Sequence, residues 1–140
     1  MTDTALSAVH LALAAFMTGL IWFVQLVHYP LFASVGRESF VAYEKRHAFR
    51  TSLIVAPVML AEAGAAVWLL VRTPGDVLVM IGAALLLVIW LSTALVQAPC
   101  HGRLARGYTA RDARRLVRSN WVRTGAWSAR CVLAALLLPA

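Results

Sequence analysis

The sequence predicts an all-helical membrane protein: a four-helix up-and-down transmembrane bundle that takes up residues 1–140 as a single domain. Three observations predict it. Hydrophobic residues make up 61% of the chain and charged residues 14%, too little polar surface to clothe a soluble globule. Four apolar runs, at about residues 6–29, 51–71, 77–96 and 121–138, are each long enough to cross a hydrocarbon layer of about 30 Å. Finally, of the 13 Lys and Arg residues, four lie in the connection before the second run and six in the connection before the fourth. Membrane topology explains that placement, and hence the net charge of +7, more simply than binding to nucleic acid does.

The first run stops at Pro30, which has no N–H to continue a helix. Met1 to Ser7 hold an Asp and no basic residue, so they lack the charged start of a signal peptide, and the run is expected to be a retained helix. The second run contains Pro57, tolerable in a membrane helix whose neighbours satisfy the freed carbonyl. Thr73-Pro74-Gly75-Asp76 allows only a tight hairpin into the third run. Phe40 and Tyr43 suggest an amphipathic helical segment before helix two, and the Thr109-x-x-Asp112 cap suggests another before helix four. The positive-inside rule makes both long connections cytoplasmic and both termini external, as in a bacterial inner-membrane protein. Cys100 and Cys131 fit no disulfide or metal spacing.

Polar residues inside a span are costly and face the bundle interior, so their helical phase is informative. Trp22, Gln25 and His28 recur at steps of three; Trp90, Thr93, Gln97 and His101 at three or four; Asn120, Arg123, Trp127 and Arg130 likewise. The second span adds His47, Thr51 and Glu62. Spans one and three end at the face where two and four begin. His28, His47, His101, Asn120, Trp121 and Arg123 therefore converge at one depth near the cytoplasmic side. His10, at the opposite end, reads as an interfacial histidine. Glu62 lies 11 residues past Thr51 and Arg130 nine past Trp121, or roughly 16 and 14 Å into the bilayer. They are expected to form a buried ion pair.

His28, His47, His101 and Arg123 are the candidate catalytic residues, with imidazoles as bases and the guanidinium stabilising an enolate or phenolate. Trp22, Gln25, Trp90, Gln97, Asn120, Trp121 and Trp127 are candidates for binding a flat, lipophilic substrate. The three histidines are also candidate metal ligands, with Glu44 as a carboxylate partner, and two of them could hold haem. That alternative to a cofactor-free site rests on shared depth, with no ligand spacing such as His-x-x-x-His or Glu-x-x-His expected to support it. No nucleotide-binding loop or nucleophile elbow occurs.

Gly19 to Phe32 (GLIWFVQLVHYPLF), the proline-containing second span and Asn120-Trp121-x-Arg123-Thr124 before the last run resemble a broad bacterial family of small four-helix membrane proteins. That family is distantly similar to the anthrone-oxygenase-like proteins. The resemblance implies an oxygenase-type reaction on a lipophilic aromatic without an obvious bound cofactor, and carries over Asn120 and Arg123, with His28 and His47 less directly. The leading expectation is thus a membrane-embedded enzyme whose partners are lipid and a lipophilic small molecule, alone or as an oligomer. A membrane assembly factor and a proton-coupled transporter using Glu62 are the alternatives.

Overall fold

The computed structural model describes residues 3–138, and among them every regular element is helical. Five α-helices follow in order: α1 (Asp3–Phe23), α2 (Arg37–Arg72), α3 (Val77–Ser92), α4 (Ala98–Leu104) and α5 (Ala110–Leu136). Three stretches are long and apolar enough to cross a membrane: Thr4–Ser34, Arg37–Arg72 and Val77–Leu104. The chain therefore has the character of an integral membrane protein. α5 falls short of the same measure because Asn120, Arg123 and Arg130 dilute its hydropathy, yet all three side chains are buried against the other helices. From residue 121 on, its exposed positions include Trp121, Val122, Val132 and Leu136, and none is charged. Upstream, the exposed positions include Arg111, Arg114, Arg115 and Arg118.

Two boundaries differ from expectation. α2 is one uninterrupted helix of 36 residues, so no separate amphipathic segment precedes it; Phe40 and Tyr43 lie in its opening turns. The third span does not end near Val96 but runs on through a π-helical turn, Thr93–Gln97, into α4. α1 likewise passes into a π-helical turn, Val24–His28, and then a 3₁₀ turn, Pro30–Ser34. Each π turn stands two residues before a proline, Pro30 in one case and Pro99 in the other. Proline has no N–H for the carbonyl four residues back and its ring crowds it, and widening the preceding turn relieves both problems. The Tyr29 N–H accordingly reaches back five residues to the Val24 carbonyl, 2.9 Å.

The α2–α3 hairpin turns at Gly75, whose φ of 87° favours glycine. Asp76 then caps α3, accepting from the Leu78 and Val79 amides at 2.8 and 3.3 Å. At the other end, Thr109 caps α5 through the Asp112 amide. The Asp112 carboxylate accepts from Arg103 at 2.7 Å and from the Thr109 hydroxyl at 2.8 Å; the guanidinium first, then the hydroxyl, holds the carboxyl below its ordinary range.

α5 packs closely against both α1 and α3, whereas α2 rests on α1, α3 and α4 and meets α5 only through long side chains. Apolar clusters alternate with polar layers along the bundle. Leu6, Leu69 and Val79 fill the hairpin end. Met17, Ile21, Met59, Ile89 and Trp127 fill the middle. An aromatic cluster with Tyr29, Phe32 and Phe40 fills the end where the basic residues collect.

Candidate functional site

The gap between α2 and the other helices holds a cavity of about 490 Å³. Its walls are apolar through Met17, Leu20, Ile21, Val55 and Met59, with Trp90 alongside. Exposed Ser52, Ala56 and Leu60 on α2, and Ala98 and Gly102 on α4, form its rim, so it opens sideways between these helices. Tyr29, His47, His101, Gln97 and Arg123 line it as well, and they supply its polar end.

Its histidine group is assembled from three helical segments. The π turn and Tyr29 deliver His28 and the phenol from the first span; α2 presents Glu44, His47 and Thr51 on one face; α4 supplies His101. His28 Nε2 lies 2.8 Å from His47 Nδ1, and the Thr51 hydroxyl 3.1 Å from the same nitrogen. His101 Nδ1 stands 2.5 Å from Glu44 Oε1, and His101 Nε2 is 3.0 Å from the Tyr29 hydroxyl. The Phe32 ring packs edge-on against all three imidazoles, with centroids 5.2 to 6.4 Å away. Glu44 is 0% exposed, and its Oε2 has no hydrogen-bond partner. The three histidines thus stand together: His47 and His101 are 5.4 Å apart by centroids, and His28 and His47 4.4 Å.

Beside this group runs a second polar chain, unpartnered at Arg123 Nε and Gln97 Oε1. Gln25 donates to the Val117 carbonyl at 3.2 Å and accepts from Asn120 at 2.9 Å; Asn120 in turn accepts from Arg123 at 3.0 Å. Arg123 also lies 5.0 Å from the Trp127 ring centroid and reaches the Tyr29 hydroxyl, leaving Nε unpartnered. Gln97 donates to the Ser119 hydroxyl at 2.9 Å.

The other expected residues divide between cavity and elsewhere. Trp90 and Gln97 line it; Gln25 and Asn120 stand behind Arg123. Trp22 and Trp121 do not line it. They meet edge to face at 5.6 Å on the outside of the bundle, Trp22 donating to Ser128 at 3.0 Å. Trp127 is buried in the middle and donates to Glu62 Oε2 at 2.9 Å. Arg130 Nη2 is 3.4 Å from Glu62 Oε1, and Nη1 donates to the Gly82 carbonyl, so Glu62 and Arg130 are in contact. His10 is buried near that pair, 5% exposed, instead of lying at the interface. The bundle's close-packed end encloses it.

Two residues gain importance that sequence patterning gave only in passing, Tyr29 and Glu44. Their signals were present. Tyr29 follows His28 and precedes Pro30, which sets the π turn, and, against the expectation that no such ligand spacing occurs, Glu44-Lys45-Arg46-His47 is a Glu-x-x-His spacing that aligns both side chains on a helix face. No family model matches the chain, and no curated protein or solved structure matches it either.

Proposed function

We propose that the protein crosses the membrane four times, with its basic connections on the cytoplasmic side, and acts as an enzyme on a lipophilic small molecule drawn sideways from the hydrocarbon. The cavity carries this reading: its apolar walls, its opening between α2 and α4, and the polar group that ends it. A wholly apolar void would suit lipid alone. The uncharged outer face of α5 after Asn120 supports the fourth crossing. Glu62 has both oxygens engaged, which favours a structural role over proton transport.

The chemistry proposed is proton transfer at the polar end. With Glu44 accepting from His101 Nδ1–H, the lone pair of Nε2 faces the Tyr29 hydroxyl, and the phenol can pass its proton to the imidazole. Tyr29 then takes a proton from an acidic C–H or O–H of the bound molecule, and Arg123 alongside stabilises the enolate or phenolate left behind. An oxygenase-type reaction of a lipophilic aromatic, as the resemblance to the anthrone-oxygenase-like proteins implies, would need this electron-rich anion first.

The test is solvent-deuterium exchange at the acidic C–H of a lipophilic aryl ketone carried in the detergent micelles of the purified protein. Exchange should exceed the protein-free rate and fall about a hundredfold in Tyr29→Phe and in His101→Gln. Ala56→Trp, which fills the opening, should lower exchange while leaving the fold intact. Exchange at the protein-free rate, or insensitivity to all three substitutions, overturns the reading.

A further inference from the structure

We infer that Glu44, His47 and His101 bind one divalent transition-metal ion, of the zinc or ferrous-iron class, at the polar end of the cavity. One ligand atom from each of these residues can be chosen so that all lie within 4.8 Å of one another. Ligands sharing a tetrahedral or octahedral ion stand about 3 to 4 Å apart, so side-chain rotations on the order of 1 Å close the set.

Three further features point to an ion. The first is the carboxylate. Glu44 is fully buried, and one of its oxygens has no hydrogen-bond partner. Buried carboxylates are paired or coordinate metals, because ionised oxygen out of water needs a counter-charge. His101 meets one oxygen and nothing among the described residues meets the other.

Next, both imidazoles are already oriented as ligands. A metal-bound histidine almost always gives its second ring N–H to a neighbour, which fixes its tautomer and ring angle. His101 has the Tyr29 hydroxyl at Nε2, leaving Nδ1 toward Glu44. His47 has His28 and Thr51 at Nδ1, leaving Nε2 as its ligand atom. His28 is therefore an orienting partner, not a third imidazole ligand.

Sequence spacing is the third feature. Glu44 and His47 stand three residues apart in α2, the Glu-x-x-His arrangement by which one helix offers a carboxylate and an imidazole to the same ion. Two nitrogens and a carboxylate suit zinc or ferrous iron better than calcium or magnesium, which prefer all-oxygen sites. Three protein ligands leave a coordination position free on the side of the cavity.

The inference rests on the proposed function only for what a bound ion would do there, namely polarise an oxygen of the cavity's occupant. With an ion present, Glu44 no longer takes the His101 proton, so the two readings separate by experiment. The purified full chain, stripped with a chelator, is titrated with Co²⁺ and followed by visible absorbance, and Zn²⁺ is then added as competitor. We expect one cobalt per chain, displaced by zinc. Glu44→Gln, His47→Ala and His101→Ala should each weaken binding by about a hundredfold or more, and His28→Ala by about tenfold. Cys131→Ser should bind as the unmutated chain does.

Lack of stoichiometric cobalt absorbance in the unmutated chain overturns the site, as does equal affinity in the three ligand variants. Glu44→Gln keeps the shape of the side chain and decides the matter if either alanine variant does not fold. Cobalt binding that fails while Tyr29-dependent exchange persists removes the ion and leaves the proposed enzyme. Binding without exchange does the reverse.

Discussion

Glu44 and Glu62 are both fully buried in α2, 18 residues apart, or about 27 Å along the helix axis, and their surroundings treat them oppositely. Glu62 is satisfied at both oxygens, by Trp127 and by Arg130, whose other terminal nitrogen is taken by the Gly82 carbonyl. Both of its partners come from α5, with α3 joined through Gly82, and no large cavity adjoins it; the nearby void holds only about 10 Å³. Glu44 meets one imidazole, keeps one oxygen without a partner, and belongs to a group of ionisable rings at the end of a cavity of about 490 Å³. A carboxylate satisfied at both oxygens, such as the first, fixes which helices meet, even with Arg130 Nε left without a partner. An unsatisfied one such as the second is a site waiting for something to satisfy it.

The largest expected effect breaks the Glu62–Arg130 contact. Glu62→Gln or Arg130→Met alone strands a charge in the bundle middle and should cost about 3–5 kcal/mol of stability. The double variant should recover a substantial part, because it removes both charges together. Denaturant unfolding of the four proteins in detergent measures the coupling. If the two single losses simply add, Glu62 and Arg130 are not coupled and the contrast with Glu44 loses its first half.

The Glu62–Arg130 contact was legible from depth alone, because apolar runs two and four both start at the basic end and count inward together. The gathering of His28, His47 and His101 was legible for the same reason. Side-chain direction was less so. Regular 3.6-residue spacing put Trp22 on a stripe with Gln25 and His28, but the π turn at Val24–His28 inserts a residue into the helix. One extra residue rotates the C-terminal part of a helix by about 100° relative to the N-terminal part. Trp22 is left on the outer surface against Trp121, while Tyr29 turns inward. The third span carries its own π turn between Trp90 and His101, and there both residues still reach the cavity. Glu44 was obscured differently: Lys45 and Arg46 beside it suggest a solvated helix, and only the unbroken length of α2 shows that one face of those turns is covered.

Gln25 offers an intermediate test. It joins the Val117 carbonyl to Asn120, and through Asn120 to Arg123, so it stands in a hydrogen-bonded chain directly beside the histidine–glutamate group. Gln25→Leu leaves the Asn120 amide donor without its acceptor and should cost about 1–3 kcal/mol. Because Arg123 is positioned through that chain, aryl-ketone exchange should fall with it, while cobalt affinity should stay unchanged. Equal loss of both would join the two polar groups into one network and blur the comparison.

The smallest stability effect is expected where the functional effect is greatest. Glu44→Gln removes a buried negative charge that has one imidazole for a partner. The amide replaces it at similar volume, and its oxygen can still accept from His101 Nδ1–H. Losing the charge-assisted part of that bond is offset by no longer holding an ionised oxygen away from water, so the net change should stay within about 1 kcal/mol. The same substitution takes away the anionic ligand and the negative charge that supports proton uptake by His101, and cobalt binding and exchange should both collapse. Unfolding curves and cobalt titrations on one preparation supply both numbers. A loss of several kcal/mol would make Glu44 a second Glu62, a structural anchor whose burial needs no ligand, and the difference between the two ends of α2 would then be one of degree.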